Sequence, residues 1–325
     1  MATVNDIQPP RLFPCDDRDR VERVERVTAR ASTASRPCGC DGTGDLVWQE
    51  AGYRGRRCAC GLVYIDPAPP PRPRGEALEY HSDGYYALPA ELRLDWVQSW
   101  CPRGRLLEVG PGRGHLLAAA RRRGFTVAGV DPDPTSVRLL RDELGIEAEL
   151  ATIETSRLPE AAFDVVVHVD LLSHLEDPVL ALRAMAARLA PGGHVIFEVG
   201  LLGGVSPLWY RAIGRVGFPE HRWLFSQGAL VRMLARAGLA LAGVRRYGLA
   251  PSVALLVLKR AAGLAGAGRS RGPGAVAPPA SAADRLYERA MFALRYRIGR
   301  FAPPVGPQSL LIAARAQPGA ASARR

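Results

Sequence analysis

Between residues 105 and 199 the apolar positions follow two alternating patterns. Leu106-Leu107-Glu108-Val109, Phe125 to Val130, Ile146 to Leu150, Phe163 to Val169 and His194 to Val199 are short runs rich in leucine and β-branched residues. The near-continuous β-branched character of the run from Phe163 predicts a strand buried on both faces. Between the runs the apolar residues take helical spacing. One helix runs through Leu116, Leu117 and Ala118 to Arg123 and closes at Gly124. A second runs through Val137, Leu140 and Leu144 to Gly145, and a third from Pro178 to Ala190, ending at Pro191-Gly192-Gly193. Asp133 and Asp177 precede the last two as N-caps, each with a proline at the first helical position. Five alternations of strand and helix predict an α/β fold with a doubly wound parallel sheet.

Downstream, Ser226 is placed to cap a helix through Leu230 and Leu234 to Gly238, and Leu239 to Tyr247 reads as a sixth strand. Residues 251–264 read as a short apolar helix, 265–282 as a Gly/Ala/Pro/Ser linker and Arg285 to Phe301 as a basic amphipathic helix. Gln308 to Ala314 is then a last, antiparallel strand, which makes seven strands with a helical insertion before the last. Upstream, Leu92, Trp96, Val97 and Trp100 mark a helix from Pro89 to Trp100 that covers the start of the sheet. The expected organisation is a leader (1–36), a cysteine lobe (37–75), a core (76–250) and a C-terminal part of helices, linker and last strand (251–325).

Composition changes this picture little. Of the 325 residues 47% are apolar and 23% charged, ordinary for a globular chain. The net charge of +11 suggests nucleic acid until it is located: twelve basic and two acidic residues lie from Lys259 to Arg325, leaving the rest nearly balanced. Lys259 is the single lysine among 43 basic residues, so the excess reads as drift toward arginine. No secretory signal opens the chain, and its longest apolar run, Val253 to Leu258, is far short of the ~20 residues of a membrane span. Six cysteines in such a chain do not describe a disulfide framework, and a cytoplasmic location is expected.

Candidate chemistry centres on Glu108-Val109-Gly110-Pro111-Gly112-Arg113-Gly114, where the first strand turns into a helix. Glycines here permit φ > 0 and close approach of a ligand, and the helix N-terminus offers N–H groups to an anion. Asp131 ends the next strand 21 positions after Gly110, placed for a ribose diol. The Glu-x-Gly-x-Gly-x-Gly form, rather than G-x-G-x-x-G, resembles the first motif of the class I S-adenosylmethionine-dependent methyltransferases. The resemblance covers roughly residues 37–240. It implies a Rossmann-like seven-stranded fold, with S-adenosylmethionine as cofactor and a small-molecule acceptor. It also implies that Glu108, Gly110, Gly112 and Gly114 hold the methionine part and ribose, that Asp131 with Pro132 takes the ribose hydroxyls, and that Thr152 and Ile153 border the adenine. Asp170 ends the strand from Phe163, at the same sheet edge as Gly110 and Asp131, where ligands bind in open α/β sheets.

Cys38-Gly39-Cys40 and Cys58-Ala59-Cys60 form two pairs 17 residues apart, the layout of a zinc ribbon with C-x-C in place of C-x-x-C. Buried free thiols are the other reading. A subset of these methyltransferases, including sugar C-methyltransferases and natural-product enzymes, is similar here. It carries a cysteine lobe ending in a phrase like Cys60-Gly61-Leu62-Val63-Tyr64, then prolines and tyrosines matched by Tyr80, Tyr85 and Tyr86. That likeness favours structural zinc on Cys38, Cys40, Cys58 and Cys60.

In Phe218-Pro219-Glu220-His221-Arg222, His221 precedes the helix capped by Ser226. The phrase looks like the Glu-His of the C-methyltransferase branch, which implies a general base; a purely loop-fastening histidine is the alternative. His174 reads as a loop-steadying histidine. The expected function is methyl transfer to oxygen or carbon of a sugar nucleotide or natural-product intermediate. A dehydrogenase-type nucleotide binder is opposed by the glycine spacing. A nucleic-acid methyltransferase lacks an Asn-Pro-Pro-Tyr-type motif after Asp170, so no nucleic-acid partner is expected. The basic C-terminal helix leaves room for peripheral membrane contact.

Overall fold

The computed structural model describes residues 36–70, 83–262 and 281–317. Residues 1–35 of the leader, Tyr80 and most of the linker of the sequence reading therefore lie outside the described residues.

The described chain opens with three antiparallel strands, β1 (Asp45–Glu50), β2 (Tyr53–Arg57) and β3 (Val63–Asp66). Next come α1 (Asp83–Gln98), β4 (Arg105–Val109), α2 (His115–Arg122), β5 (Thr126–Asp131) and α3 (Pro134–Arg138), which continues as a π-helical turn over Leu139–Glu143. β6 (Glu147–Leu150), β7 (Phe163–Val169), α4 (Pro178–Arg188) and β8 (Leu189–Leu201) complete the alternation. Then follow α5 (Pro207–Ile213), the two-residue β9 (Trp223–Leu224), α6 (Gln227–Arg236) and β10 (Leu239–Gly248). The insertion consists of α7 (Ala250–Ala261) and α8 (Ala282–Phe292), which runs on in π- and 3-10-helical turns to Phe301, and β11 (Gln308–Ala316) ends the fold.

The main sheet has the order β10-β11-β8-β7-β4-β5-β6. β6, β5, β4, β7 and β8 are parallel, and β11 lies antiparallel between β8 and β10. This is the expected Rossmann-like, mostly parallel seven-stranded sheet. Strand pleating sends alternate residues to two cores. Leu107, Val109, Val166 and Phe197 pack with Leu182 and Met185 of α4 and Leu230 and Met233 of α6. Leu106, Val165, Val167 and Ile196 pack with Leu94 and Val97 of α1, Leu117 of α2 and Leu140 of the turn after α3.

Two boundaries differ from the sequence pattern. Pro89 lies inside α1 instead of opening it; the buried Ala90, Leu94 and Val97 hold that helix to the sheet. The helix expected to reach Ala190 stops at Arg188, and Leu189 already pairs with Phe163 before the register shifts at Val165↔His194. Gly193 lets the strand bulge there: a Cβ on it would lie 2.9–3.1 Å from three backbone carbonyls. Among the described residues no helix is long and apolar enough to cross a membrane.

The small sheet has the order β1-β2-β3-β9, so its fourth strand comes from residues far downstream. Val63 pairs with Leu224 and Tyr64 with Trp223. Its core is likewise shared: Val63 and Ile65 pack with Val205, Tyr210, Val216, Phe218 and Leu224.

Candidate active site

The carboxyl ends of β4, β5 and β7 meet at one edge. After Val109 the backbone turns through Gly110 (φ 70), Gly112 (φ 52) and Gly114 (φ 72), a conformation open to glycine at little cost. The three differ in what faces them. A Cβ on Gly110 would sit 3.5 Å from Leu171, and one on Gly112 would meet nothing within 4 Å; one on Gly114 would strike Leu140 at 2.6 Å and Leu144 at 2.8 Å. Gly114 thus serves helix packing, and Gly112 leaves backbone open to a ligand. Gly114 also begins α2 with no side-chain cap on the helix N–H groups.

Asp131 closes this turn from the neighbouring strand. Its Oδ2 accepts from Gly112 N at 3.3 Å and its Oδ1 from Asp133 N at 2.8 Å. Burial raises its pKa to about 6. Glu108 is 4% exposed, and its Oε2 has no hydrogen-bond partner among the described residues. Burial pushes its carboxyl up to about 8, Arg93 opposing and Asp131 adding to the rise. Pro132 is exposed beside it, whereas Ile153 is buried in the core. The Ala151 amide bonds the Asp131 carbonyl at 3.1 Å, which brings Thr152 to the same edge. Asp170, exposed at the end of β7, holds φ 50, an uncommon conformation for a side-chain-bearing residue.

These observations fit a zwitterionic nucleoside. An orphaned buried carboxylate oxygen needs a donor, the uncapped N-terminus of α2 suits a carboxylate, and the open backbone at Gly112 admits a close neighbour.

Beyond β7 the chain carries His174, whose Nδ1 meets the Glu220 carbonyl at 2.8 Å. His221 lies alongside, the ring centroids 4.6 Å apart. Arg222 N bonds Ser173 O at 2.7 Å, fastening the His221 loop to the end of β7. The His221 Nδ1 lies 2.9 Å from the Val216 carbonyl. A carbonyl only accepts, so Nδ1 carries the proton and the lone pair is on Nε2.

The four cysteines do come together. The sulfurs of Cys38, Cys40, Cys58 and Cys60 all lie within 4.8 Å of one another. Zinc–sulfur bonds of about 2.3 Å in a tetrahedron place sulfurs roughly 3.8 Å apart, and Cys38 to Cys58 is 3.7 Å. Burial pushes up the Cys38 thiol, and that of Cys60 to about 11; a cation that keeps thiolates ionised would offset that. The set fits zinc.

Sequence reasoning did not find Glu198 and Arg93. Glu198, 2% exposed on β8, accepts from Arg93 Nε at 2.7 Å, Arg295 at 2.8 Å, Tyr296 Oη at 2.8 Å and Ser309 Oγ at 2.5 Å. Burial alone would raise its pKa, but the guanidiniums of Arg93 and Arg295 outweigh that and hold it at about 2. The signal was an acid inside an apolar strand; its partners, far apart in sequence, had none.

Fold and edge together define the class of the S-adenosylmethionine-dependent methyltransferases, whose fold takes that cofactor. A methyltransferase domain model matches residues 79–243. The chain belongs to this methyltransferase domain family. It is 37% identical over 115 residues to the ubiquinone biosynthesis O-methyltransferase of Ralstonia nicotianae, covering 33% of this chain and 48% of that protein. To the protein of that name from Alkalilimnicola ehrlichii it is 36% identical over 136 residues, 39% of this chain and 52% of the relative. To that from Aeromonas salmonicida it is 32% identical over 165 residues, 46% of this chain and 69% of the relative. The match to the first two thus spans about half of their length. A solved geranyl diphosphate methyltransferase in complex with S-adenosylmethionine aligns over 74% of this chain and 94% of its own, with TM-score 0.47 and 17% identity.

Proposed function

We propose that the chain transfers the methyl group of S-adenosylmethionine to an oxygen of a small molecule, a sugar nucleotide or natural-product intermediate, with His221 as general base. What carries the reading is one coincidence at the sheet edge: a glycine turn open at Gly112, bounded by Asp131 and by the unpartnered Oε2 of Glu108. The names of the relatives favour oxygen over carbon as acceptor.

When bound, the cofactor supplies a methyl already activated on a cationic sulfur, so the protein must chiefly align and deprotonate. In this reading Glu108 accepts from the ammonium group, Asp131 from the ribose hydroxyls, and Gly110, Gly112 and Gly114 shape the turn around the methionine part. Pro132, Thr152 and Asp170 flank the nucleoside, and Ile153, its side chain buried in the core, backs Thr152. His221 takes the acceptor's hydroxyl proton on Nε2 as the oxygen–carbon bond forms and the carbon–sulfur bond breaks, the electron pair staying on sulfur. Zinc on the four cysteines is structural here and takes no part in the transfer.

The test is calorimetry with S-adenosylhomocysteine, followed by transfer of labelled methyl to a panel of phenolic and carbohydrate acceptors. Micromolar binding that Asp131→Ala weakens at least tenfold, with label on an acceptor hydroxyl, is the expected result. No binding to the folded protein would overturn the assignment, and full turnover by His221→Ala would remove the base.

A further inference from the structure

Among the ties between the cysteine lobe and the His221 loop, which include Ile65 N to Arg222 O, one is a carboxylate. Glu50 ends β1, and its side chain is 10% exposed. Its Oε2 accepts from Val216 N at 2.7 Å and from Trp48 Nε1 at 3.1 Å. Its Oε1 accepts from Gly217 N at 3.2 Å and faces Arg215 Nε at 3.5 Å. The carbonyls of the same two residues face the other way. Val216 O holds His221 Nδ1 at 2.9 Å, and Gly217 O accepts the His221 backbone N–H at 2.8 Å.

The Gly217 N–H and the Val216 C=O belong to one peptide group, so that group stands between the Glu50 carboxylate and the imidazole. Hydrogen bonds in series polarise one another, and a carboxylate drawing on the N–H makes the carbonyl a better acceptor. The approach is also close: a Cβ on Gly217 would lie 3.0 Å from His221 Nδ1, so only glycine lets the peptide lie against the ring. Other charged or titratable groups around the ring are His174 on the loop after β7, Glu220 and Arg222 beside it in the chain, and Glu176, which pairs with Arg222 at 3.5 Å.

We infer that Glu50 is a positioning residue for His221, acting through the Val216–Gly217 peptide group to fix the imidazole with its proton on Nδ1 and its lone pair on Nε2. The cysteine lobe then supplies the outer member of a carboxylate–peptide–imidazole relay. The inference deepens the reading of His221 as base and rests on it for its catalytic meaning, although the tautomer itself can be observed without turnover.

The experiment is a long-range proton–nitrogen NMR correlation of the histidine rings in the full chain, with His221→Gln to assign the His221 signals. Wild type should show His221 almost wholly as the Nδ1–H tautomer. Glu50→Gln should move a third or more of it to Nε2–H, with the affinity for S-adenosylhomocysteine unchanged within twofold. Glu50→Asp, which keeps the charge but withdraws the carboxylate, should fall between and serves if the Gln variant does not fold. An unaltered tautomer ratio in a folded Glu50 variant overturns the inference. Full methyl transfer by His221→Ala would sink the base reading alone and leave the tautomer result standing.

Discussion

Gly112 and Gly114 stand two residues apart with positive φ, and alanine at each should read out differently. Both substitutions carry a conformational cost of about 1 kcal/mol. Gly114→Ala adds a clash with Leu140 and Leu144 and should lose roughly 1–3 kcal/mol more, seen as a lower Tm. Gly112→Ala meets no neighbour, so its main effect should be a tenfold or greater loss of affinity for S-adenosylhomocysteine by calorimetry. Glu108 gives that affinity a pH dependence. Its carboxyl titrates near 8, and only the ionised form can accept from an ammonium group. Affinity should therefore rise toward pH 8, by up to about tenfold per unit, and Glu108→Gln should flatten the curve. His168 acts on stability instead. It is fully buried, stacks on Phe197 and has no partner on either ring nitrogen among the described residues. Burial lowers its pKa to about 3. Above its unfolded value of about 6.5 neither state binds the proton; between there and 3 only the unfolded chain does, so stability is lost as the pH is lowered through that window, by up to about 1.4 kcal/mol per unit. His168→Phe should remove that slope in urea titrations across the window. Glu108, Gly112 and Gly114 stood out in the sequence as parts of the glycine turn, whereas His168 did not. The burial of Glu108 and His168 was not legible there, because a strand pattern does not say what lies above it.

The Glu198 network joins four pieces of the chain: α1 through Arg93, β8 itself, β11 through Ser309, and the insertion through Arg295 and Tyr296. Glu198→Gln would leave two guanidiniums facing a neutral group in a dry site. The expected loss is about 3–5 kcal/mol, measured by denaturant unfolding. Tyr296→Phe removes one hydrogen bond and should cost about 1 kcal/mol. The elements so joined were largely legible from periodicity and caps: Asp133, Asp177 and Ser226 each accept from the backbone amides they were placed to cap. Where the reading slipped, tertiary packing had overruled a local rule. Pro89 stays within a helix anchored by the buried residues after it, and Leu189 leaves its helix early to pair with Phe163. Neither competing contact is visible from neighbours in sequence.

Across the whole molecule, the nest for the cofactor stands at the edge of the main sheet, and the cysteine centre packs through the buried Cys38 and Cys58 into the core under α4 and α6. The small sheet shares its core with the segment from Val205 to Leu224 that carries the approach to His221. Stripping zinc with a strong chelator, followed by metal analysis, should therefore depress methyl transfer while leaving the affinity for S-adenosylhomocysteine within about twofold. Equal loss of both would mean that the centre supports the entire fold. The cysteine spacing pointed to the metal set, and the glycine turn to the nest. That the one sheet is completed from across the chain was not legible, since β9 is two residues long and Trp223-Leu224 carries no strand signature.

That late strand has a consequence for biosynthesis. The four clustered cysteines leave the ribosome within the first sixty residues, yet the edge of β3 stays uncovered until Trp223 and Leu224 emerge. For some 160 residues of elongation the nascent amino-terminal region exposes an unpaired strand edge. Its maturation is thus timed by translation of the distant segment, and a ribosome stalled before residue 223 should display a protease-sensitive lobe that one stalled well beyond it does not.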